Sequence, residues 1–248
     1  MGSLVAQFHR GVPLSSSAFI RQLREQPDLA REVDPSTGAL PLHLACLNAA
    51  PHALIASLLS AFASAAATPA ADGHLPLHGA LSARCEDDTV DALLRAHPDA
   101  ARAPLGQHTP LHLAAAHGAS VSTVRRLLAA WPAAAAARDA EGNTPLHFAA
   151  ASQADADVVR ALLEACPAAA RLRGHMKRLP LSLAFLFEAP PEAVKLLLEA
   201  NPDALRDGCI TADHQNHGKG GSEVGAGTPT GVGGRPQFNG HFSMKVEP

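Results

Sequence analysis

The sequence predicts an all-α fold in which about five helix–turn–helix repeats stack into a solenoid, and three periodic markers support it. The first is a phrase that occurs as LPLHLA (40–45), LPLHGA (75–80), TPLHLA (109–114), TPLHFA (144–149) and LPLSLA (179–184), so that successive starts lie 35, 34, 35 and 35 residues apart. Leucine pairs keep the same period and begin at Leu58, Leu93, Leu127, Leu162 and Leu197, and prolines follow them at Pro98, Pro132, Pro167 and Pro202. One period shared by three markers indicates a single repeated unit.

The fourth repeat shows how the residues specify one unit. Residues 139–142 (DAEG) are typical of a turn, Thr144 is a candidate N-cap, and Pro145 suits the first helical position, where no N–H is needed. Residues 155–166 place their apolar side chains on one stripe, which predicts a second, amphipathic helix. One unit cannot bury this stripe alone, so the units are expected to stack.

The ends of the array differ in composition from its middle. We assign residues 1–14 to an N-terminal arm and 15–33 to a half-unit cap, with a capping helix over 15–26 that turns Phe19, Ile20 and Leu23 inward. The solenoid spans 15–207, with units starting near residues 36, 71, 105, 140 and 175. Charged residues on the last helix predict the polar surface that a terminal unit requires. The glycine-rich segment 208–248 is expected to be a disordered tail.

The phrase and the period resemble those of the ankyrin repeat, whose signature is T-P-L-H-x-A in units of about 33 residues. The resemblance extends over roughly residues 15–207. One departure is that four units leave the second helix through a proline followed by alanines or similar residues, as in WPAAAAAR (131–138), instead of through a glycine. The resemblance implies a rigid, non-catalytic protein-binding array.

Composition limits the other functions that this chain could have. A formal net charge of −3 over 248 residues lacks the basic excess of a nucleic-acid-binding protein. The four cysteines, Cys46, Cys85, Cys166 and Cys209, form no CxxC pair, which is typical of reduced, intracellular thiols. The apolar stretch 53–67 is too short for a membrane span. We therefore expect an intracellular monomer, cytoplasmic in preference to nuclear, that binds neither nucleic acid nor a membrane.

Four histidines, His43, His78, His112 and His147, occupy the same position in successive units, and the fifth unit has Ser182 there. A catalytic histidine is needed once, whereas a histidine that holds the scaffold is needed in every unit. From this position a side chain can reach back to open backbone groups of the turn. We therefore expect a structural role. No sequence motif of an enzyme, cofactor site or metal site is present, so no enzymatic activity, cofactor or metal is predicted.

Positions that vary between units are free to recognise a partner protein, and the C-terminal half of the groove offers the most distinctive ones. The predicted partner-binding residues are His117, Trp131, Asn143, Ser152, His175, Lys177, Arg178, Leu186 and Phe187. Leu186 and Phe187 form an apolar pair beside the basic segment 171–178 (RLRGHMKR), although Phe185 and Phe187 could instead pack the last unit, and Trp131 could pack beneath its turn.

Two functional hypotheses follow from these residues. The first is an adaptor that binds another protein through the concave face and the hairpin tips. The alternative is a targeting or regulatory module of a larger enzyme or channel whose catalytic part lies on a missing or separate chain. An open reading frame beyond Pro248 would favour the alternative.

Overall fold

A computed structural model describes residues 3–9 and 17–205 of the chain. These residues form twelve α-helices and no β-strand. The helices are α1 (Leu4–His9), α2 (Ser17–Glu25), α3 (Pro41–Leu47), α4 (His52–Ala61), α5 (Pro76–Ser82), α6 (Asp87–Ala96), α7 (Pro110–Ala116), α8 (Val121–Ala130), α9 (Pro145–Ala151), α10 (Ala156–Ala165), α11 (Pro180–Leu186) and α12 (Pro191–Ala200). The predicted solenoid of five helix pairs is confirmed, whereas the segment 208–248 lies outside the described residues.

Each unit is built by the local chemistry that the sequence indicates, as the third unit illustrates. The Thr109 side chain accepts a hydrogen bond from the backbone N–H of His112, and Pro110 takes the first position of α7. Gly118 adopts a left-handed φ of 66° between the two helices, and the Ser120 side chain caps α8. These residues fix where both helices begin and how the chain turns between them.

The proline that follows each second helix begins a short 3-10 helix in four of the units. These segments are Pro98–Arg102, Pro132–Ala136, Pro167–Arg171 and Pro202–Leu205, and Ala63–Ala67 is their counterpart in the first unit. One or two alanines of each segment are buried, such as Ala134 and Ala135, whereas the flanking Ala133 and Ala136 are exposed. The proline-alanine departure from the ankyrin pattern therefore has a structural purpose, because it adds one packed turn to each unit.

The units stack in two parallel rows. The first helices, α3, α5, α7, α9 and α11, pack on each other in order, and the second helices, α4, α6, α8, α10 and α12, do the same behind them. The continuous core between the rows consists mainly of leucine, valine and alanine. Small side chains at the junctions let the helices approach closely, and the buried leucines supply most of the hydrophobic stabilisation.

The N-terminal end is closed by a pair of helices. Helix α1 packs on α3 and α2 packs on α4, so the two occupy the places of a first and a second helix. The rings of Phe8 and Phe19 lie 5.8 Å apart, and Leu4 and Leu23 are buried beside them. The cap thus includes part of the segment that we assigned to an arm, and it is a whole pair instead of a single helix.

The C-terminal end has a polar outer face but an apolar edge. Glu192, Lys195 and Glu199 are exposed on α12, as their charges predict. The edge on which a further unit would stack instead presents Phe185 and Leu205, which are 45% and 52% exposed. The expectation of a polar terminal surface is therefore wrong for this edge. Within the described residues, no helix is long and apolar enough to cross a membrane.

Candidate partner-binding surface

The four repeated histidines connect each unit to the next. In each, Nδ1 accepts a hydrogen bond from the N-cap backbone N–H of the same unit, at 3.0–3.2 Å. The other ring nitrogen, Nε2, faces a backbone carbonyl oxygen near the turn of the following unit. The pairs are His43 with His74 (3.1 Å), His78 with Ala103 (2.9 Å), His112 with Asn143 (3.2 Å) and His147 with Arg178 (3.3 Å).

These contacts fix the protonation state of the rings. A carbonyl only accepts, so Nε2 carries the proton and donates it, while Nδ1 stays unprotonated to accept. Burial lowers the pKa of all four histidines, to about 4 for His112 and for His147, against an ordinary value of 6.5. Neutral rings with both nitrogens engaged have no free atom for proton transfer or for a metal.

The hairpin tip that precedes α11 differs from the other tips. Met176 and Lys177 have left-handed φ values of 52° and 59°, whereas Gly38, Gly73, Gly106 and Gly142 take up positive φ in the earlier hairpins. A side chain in this conformation costs energy, and such strain often accompanies a functional position. Met176 is 70% exposed, so the turn presents a large apolar side chain to solvent. Met176 is not among the partner-binding residues that the sequence predicts.

The same tip is positively charged. Residues 171–178 contain Arg171, Arg173, Lys177 and Arg178 and no acidic residue. Arg138 of the preceding hairpin joins them, since its guanidinium donates to the Arg173 carbonyl at 2.5 Å. At this tip Glu141 Oε2 lies 3.2 Å from His175 Nδ1. The excess of positive charge favours an acidic ligand.

The end of α11 adds further apolar surface to this region. Phe185 and Leu186 are each 45% exposed, whereas Phe187 is half-buried and packs against the core. The exposed apolar pair is therefore Phe185 and Leu186 instead of Leu186 and Phe187. We define the fifth-unit surface as Met176, Lys177 and Leu186.

Asn143 is not on the surface, contrary to our expectation. It is 3% exposed, and its amide donates to Asp139 Oδ2 at 3.1 Å while its Oδ1 accepts from the His175 backbone N–H at 2.8 Å. Burial acts to raise the pKa of Asp139, but hydrogen bonds from His108 and Asn143 outweigh it and lower this pKa to about 2. Asn143 thus holds two neighbouring hairpins together.

Three other predicted residues, His117, Trp131 and Ser152, lie in the middle of the array and are largely engaged within it. Ser152 Oγ donates to the Ala115 carbonyl of the preceding unit at 2.7 Å. His117 and Trp131 are half-buried, Trp131 packs against the core, and the carbonyl of His117 accepts from Arg84. His175, like Lys177, is exposed, and Arg178 is partly buried.

An open cleft of about 360 Å³ lies between the second and third units, and none of the predicted partner-binding residues lines it. Its Asp87 accepts hydrogen bonds from Ser120 and Thr123 of the next unit, so its polar groups serve the junction. Burial raises the pKa of the Cys85 thiol in this cleft to about 11, which leaves it a poor nucleophile. The described residues contain no group of three or more side chains suited to hold a metal.

Comparison with known families agrees with this geometry. The family model for ankyrin repeats, in three copies, matches residues 81–170 and 111–208, which together span just over half of the chain. The chain belongs to the ankyrin-repeat family. No curated protein matches it. Ankyrin repeats are in general protein–protein interaction modules and are typically non-catalytic.

Proposed function

We propose that this chain is a non-catalytic, cytoplasmic adaptor that binds an acidic segment of a partner protein through the fifth-unit surface. The observation that carries the proposal is the strained, basic tip with an apolar residue at its apex. Met176 is 70% exposed, and Lys177 follows it in the same left-handed turn. A preorganised array loses little entropy on binding, so a small surface of this kind can supply useful affinity.

The chemistry of the surface defines the partner segment. Lys177 and the arginines around it favour carboxylates, which would also steer the encounter at low salt. Met176 and Leu186 supply apolar contacts, and an exposed methionine adapts to differently shaped side chains. The expected partner therefore combines Asp or Glu residues with at least one large apolar residue.

At the last position of the first helix, the third and fourth units expose far less apolar surface than the fifth unit does. The last positions of α7 and α9, Ala116 and Ala151, are 5% and 1% exposed, whereas the equivalent Leu186 is 45% exposed. A partner that lay only along the middle units would meet small, buried side chains. The hot spot for binding is therefore expected at the fifth unit.

A selection from a random peptide library, with the full 248-residue chain as bait, tests this proposal. We expect acidic peptides with an apolar residue to be enriched, and their affinity to fall as salt is raised. Replacing Met176→Ser, Lys177→Glu and Leu186→Ser together should abolish the enrichment. Met176 and Lys177 are exposed, and Leu186 is the last residue of α11, so these substitutions should leave the helical circular dichroism signal unchanged.

Leu47→Ser is the matched control, because Leu47 is 50% exposed at the opposite end of the array. It should leave peptide enrichment unchanged. Equal enrichment by wild type and the triple variant would reject the fifth-unit surface. Peptides without acidic residues would reject the proposed partner chemistry while leaving the adaptor function in place.

A further inference from the structure

Three positions that are buried in each of the four preceding units lose their cover in the fifth. The equivalents of Phe185 are Cys46, Leu81, Ala115 and Ala150, which are at most 1% exposed, yet Phe185 is 45% exposed. The equivalents of Leu205 are Ala66, Ala101, Ala135 and Ala170, each 2% exposed, yet Leu205 is 52% exposed. The equivalents of Val194 are Ile55, Val90, Val124 and Val159, at most 1% exposed, yet Val194 is half-buried.

The residues at this edge are also unusually large. Phe185 and Leu205 replace alanine at the equivalent positions of the third and fourth units, where the next unit must fit closely. A terminal unit that faced only water would gain from polar residues here, as terminal units of repeat arrays generally do. Larger apolar side chains at the last edge instead indicate that something apolar covers it. We call Phe185, Val194 and Leu205 the C-terminal edge.

The chain itself contains a segment of matching chemistry. Residues 206–234 hold nine glycines, and a different composition follows in RPQFNGHFSMKV (235–246). This segment contains Phe238, Phe242, Met244 and Val246, and it carries Arg235 and Lys245 without an acidic residue. Four large apolar residues within nine positions give this segment the side chains that an apolar edge would bury.

Charge complementarity and connectivity both favour this segment as the occupant. Helix α12 and the 3-10 helix after it, which carry Val194 and Leu205 of the edge, hold three acidic residues, Glu192, Glu199 and Asp203, against the single cation Lys195. The segment is joined to the edge through residues 206–234, which begin next to Leu205. By the general scaling for glycine-rich chains, that length spans on the order of 30 Å from end to end. The effective concentration of the segment at the edge is therefore about millimolar, which makes even weak contacts productive.

We infer that residues 235–246 fold back onto the C-terminal edge and serve as an intramolecular cap, with Phe238 and Phe242 against Phe185 and Leu205. The inference does not depend on the proposed partner. The cap takes the place that a sixth unit would occupy and removes apolar surface from water.

Photo-cross-linking in the full chain tests the cap directly. Phe185 is replaced with p-benzoylphenylalanine, and equal amounts of light and 15N-labelled protein are mixed before irradiation. We expect cross-links between position 185 and peptides of 235–246 within one chain. The same analogue at Leu47 is the control and should give at least about fivefold fewer such cross-links. Equal yields at both positions, or cross-links that join light to heavy chains, would overturn the inference, the latter in favour of a second copy at the edge.

A second measurement uses a variant that cannot disturb the core of the solenoid. Phe238→Ser with Phe242→Ser, both outside the repeats, should accelerate backbone hydrogen exchange in α11 and α12 by at least about threefold. Exchange in α3 and α4 should stay the same and serves as the internal control. Unchanged exchange in α11 and α12 would count against the cap even if cross-links are found.

Discussion

The two ends of the array differ in how the outermost repeat unit is covered. At the N-terminal end, α1 and α2 cover the first unit and bury Leu4, Phe19 and Leu23. At the C-terminal end, Phe185 and Leu205 are exposed at positions that every earlier unit buries. A solenoid is stabilised by contacts between neighbouring units, so side chains that a further unit would cover are left exposed at its ends. The comparison locates the surfaces that remain available for function.

The largest expected effect is a loss of stability in acid, because a buried histidine joins the units at each of the four junctions. The fifth unit has Ser182 at the equivalent position, so the C-terminal edge has no such histidine. Burial lowers the pKa of His112 and His147 to about 4 from 6.5. Between pH 6.5 and 4 the unfolded state binds protons that the folded state excludes, so the free energy of unfolding should fall as pH falls. Above pH 6.5 these groups contribute no pH dependence. The loss by pH 4 is roughly 3 kcal/mol for each histidine.

Urea denaturation at pH 7.5, 6.0, 5.0 and 4.5 measures this dependence. The double variant His112→Gln with His147→Gln should be less stable at pH 7.5 but should lose less stability on acidification. A wild-type curve that is flat between pH 7.5 and 4.5 would show that the rings are not held neutral.

The closed end should be sensitive to loss of a buried ring. Phe19→Ala removes a side chain that is 2% exposed and packs against Phe8, so it should lower the free energy of unfolding by about 4 kcal/mol. Denaturant titration provides the value, and Ser17→Ala, at an exposed position of the same helix, is the control. A loss below about 1 kcal/mol would mean that α1 and α2 do not cap the array.

An interior junction should depend on its histidine. His112→Ser removes the hydrogen bonds to the Thr109 N–H and to the Asn143 carbonyl in a buried site, and should cost about 3 kcal/mol. The fifth unit has serine at this position, so Ser182→His should change stability by less than about 1 kcal/mol. The melting temperatures of both variants are compared with that of the wild type. Equal losses of stability at the two sites would contradict a special role of the histidine at interior junctions.

The smallest expected effects come from changing the same repeat position at an interior junction and at the C-terminal edge. Ala135→Leu places a larger side chain in a site that is 2% exposed, and overpacking should cost about 2 kcal/mol. The reverse change at the edge, Leu205→Ala, should cost less than about 1 kcal/mol in a chain that also carries Phe238→Ser and Phe242→Ser, because Leu205 is then left 52% exposed. Denaturation midpoints decide between them, and a larger loss for Leu205→Ala would reveal tight packing at the edge.

The sequence was sufficient for the array but not for its surfaces. The repeat period and the amphipathic stripes predict the five helix pairs and the inward side of α2, because burial of a periodic stripe determines them. Helix α1 escaped prediction because its six residues carry no repeat phrase and become a helix partner only by packing on α3.

Exposure of single side chains was harder to predict. Asn143 varies between units and therefore resembles a recognition residue, but its amide pairs with Asp139 across the turn. Packing in the last unit is the alternative that the sequence leaves open for Phe185 and Phe187, and it fits the half-buried Phe187 but not Phe185, which is 45% exposed. Comparing residue size along equivalent positions would have identified Phe185 and Leu205 from the sequence alone.

The most direct test of a recognition surface at the C-terminal end is a map of ligand contacts. The full chain, labelled with 15N, is titrated with an acidic peptide from the library selection, and backbone chemical shifts are followed. Shifts concentrated between Met176 and Leu186, lost on Lys177→Glu, are the predicted result. Shifts concentrated around Leu47 and α3 would contradict the account, because they would place recognition at the opposite end.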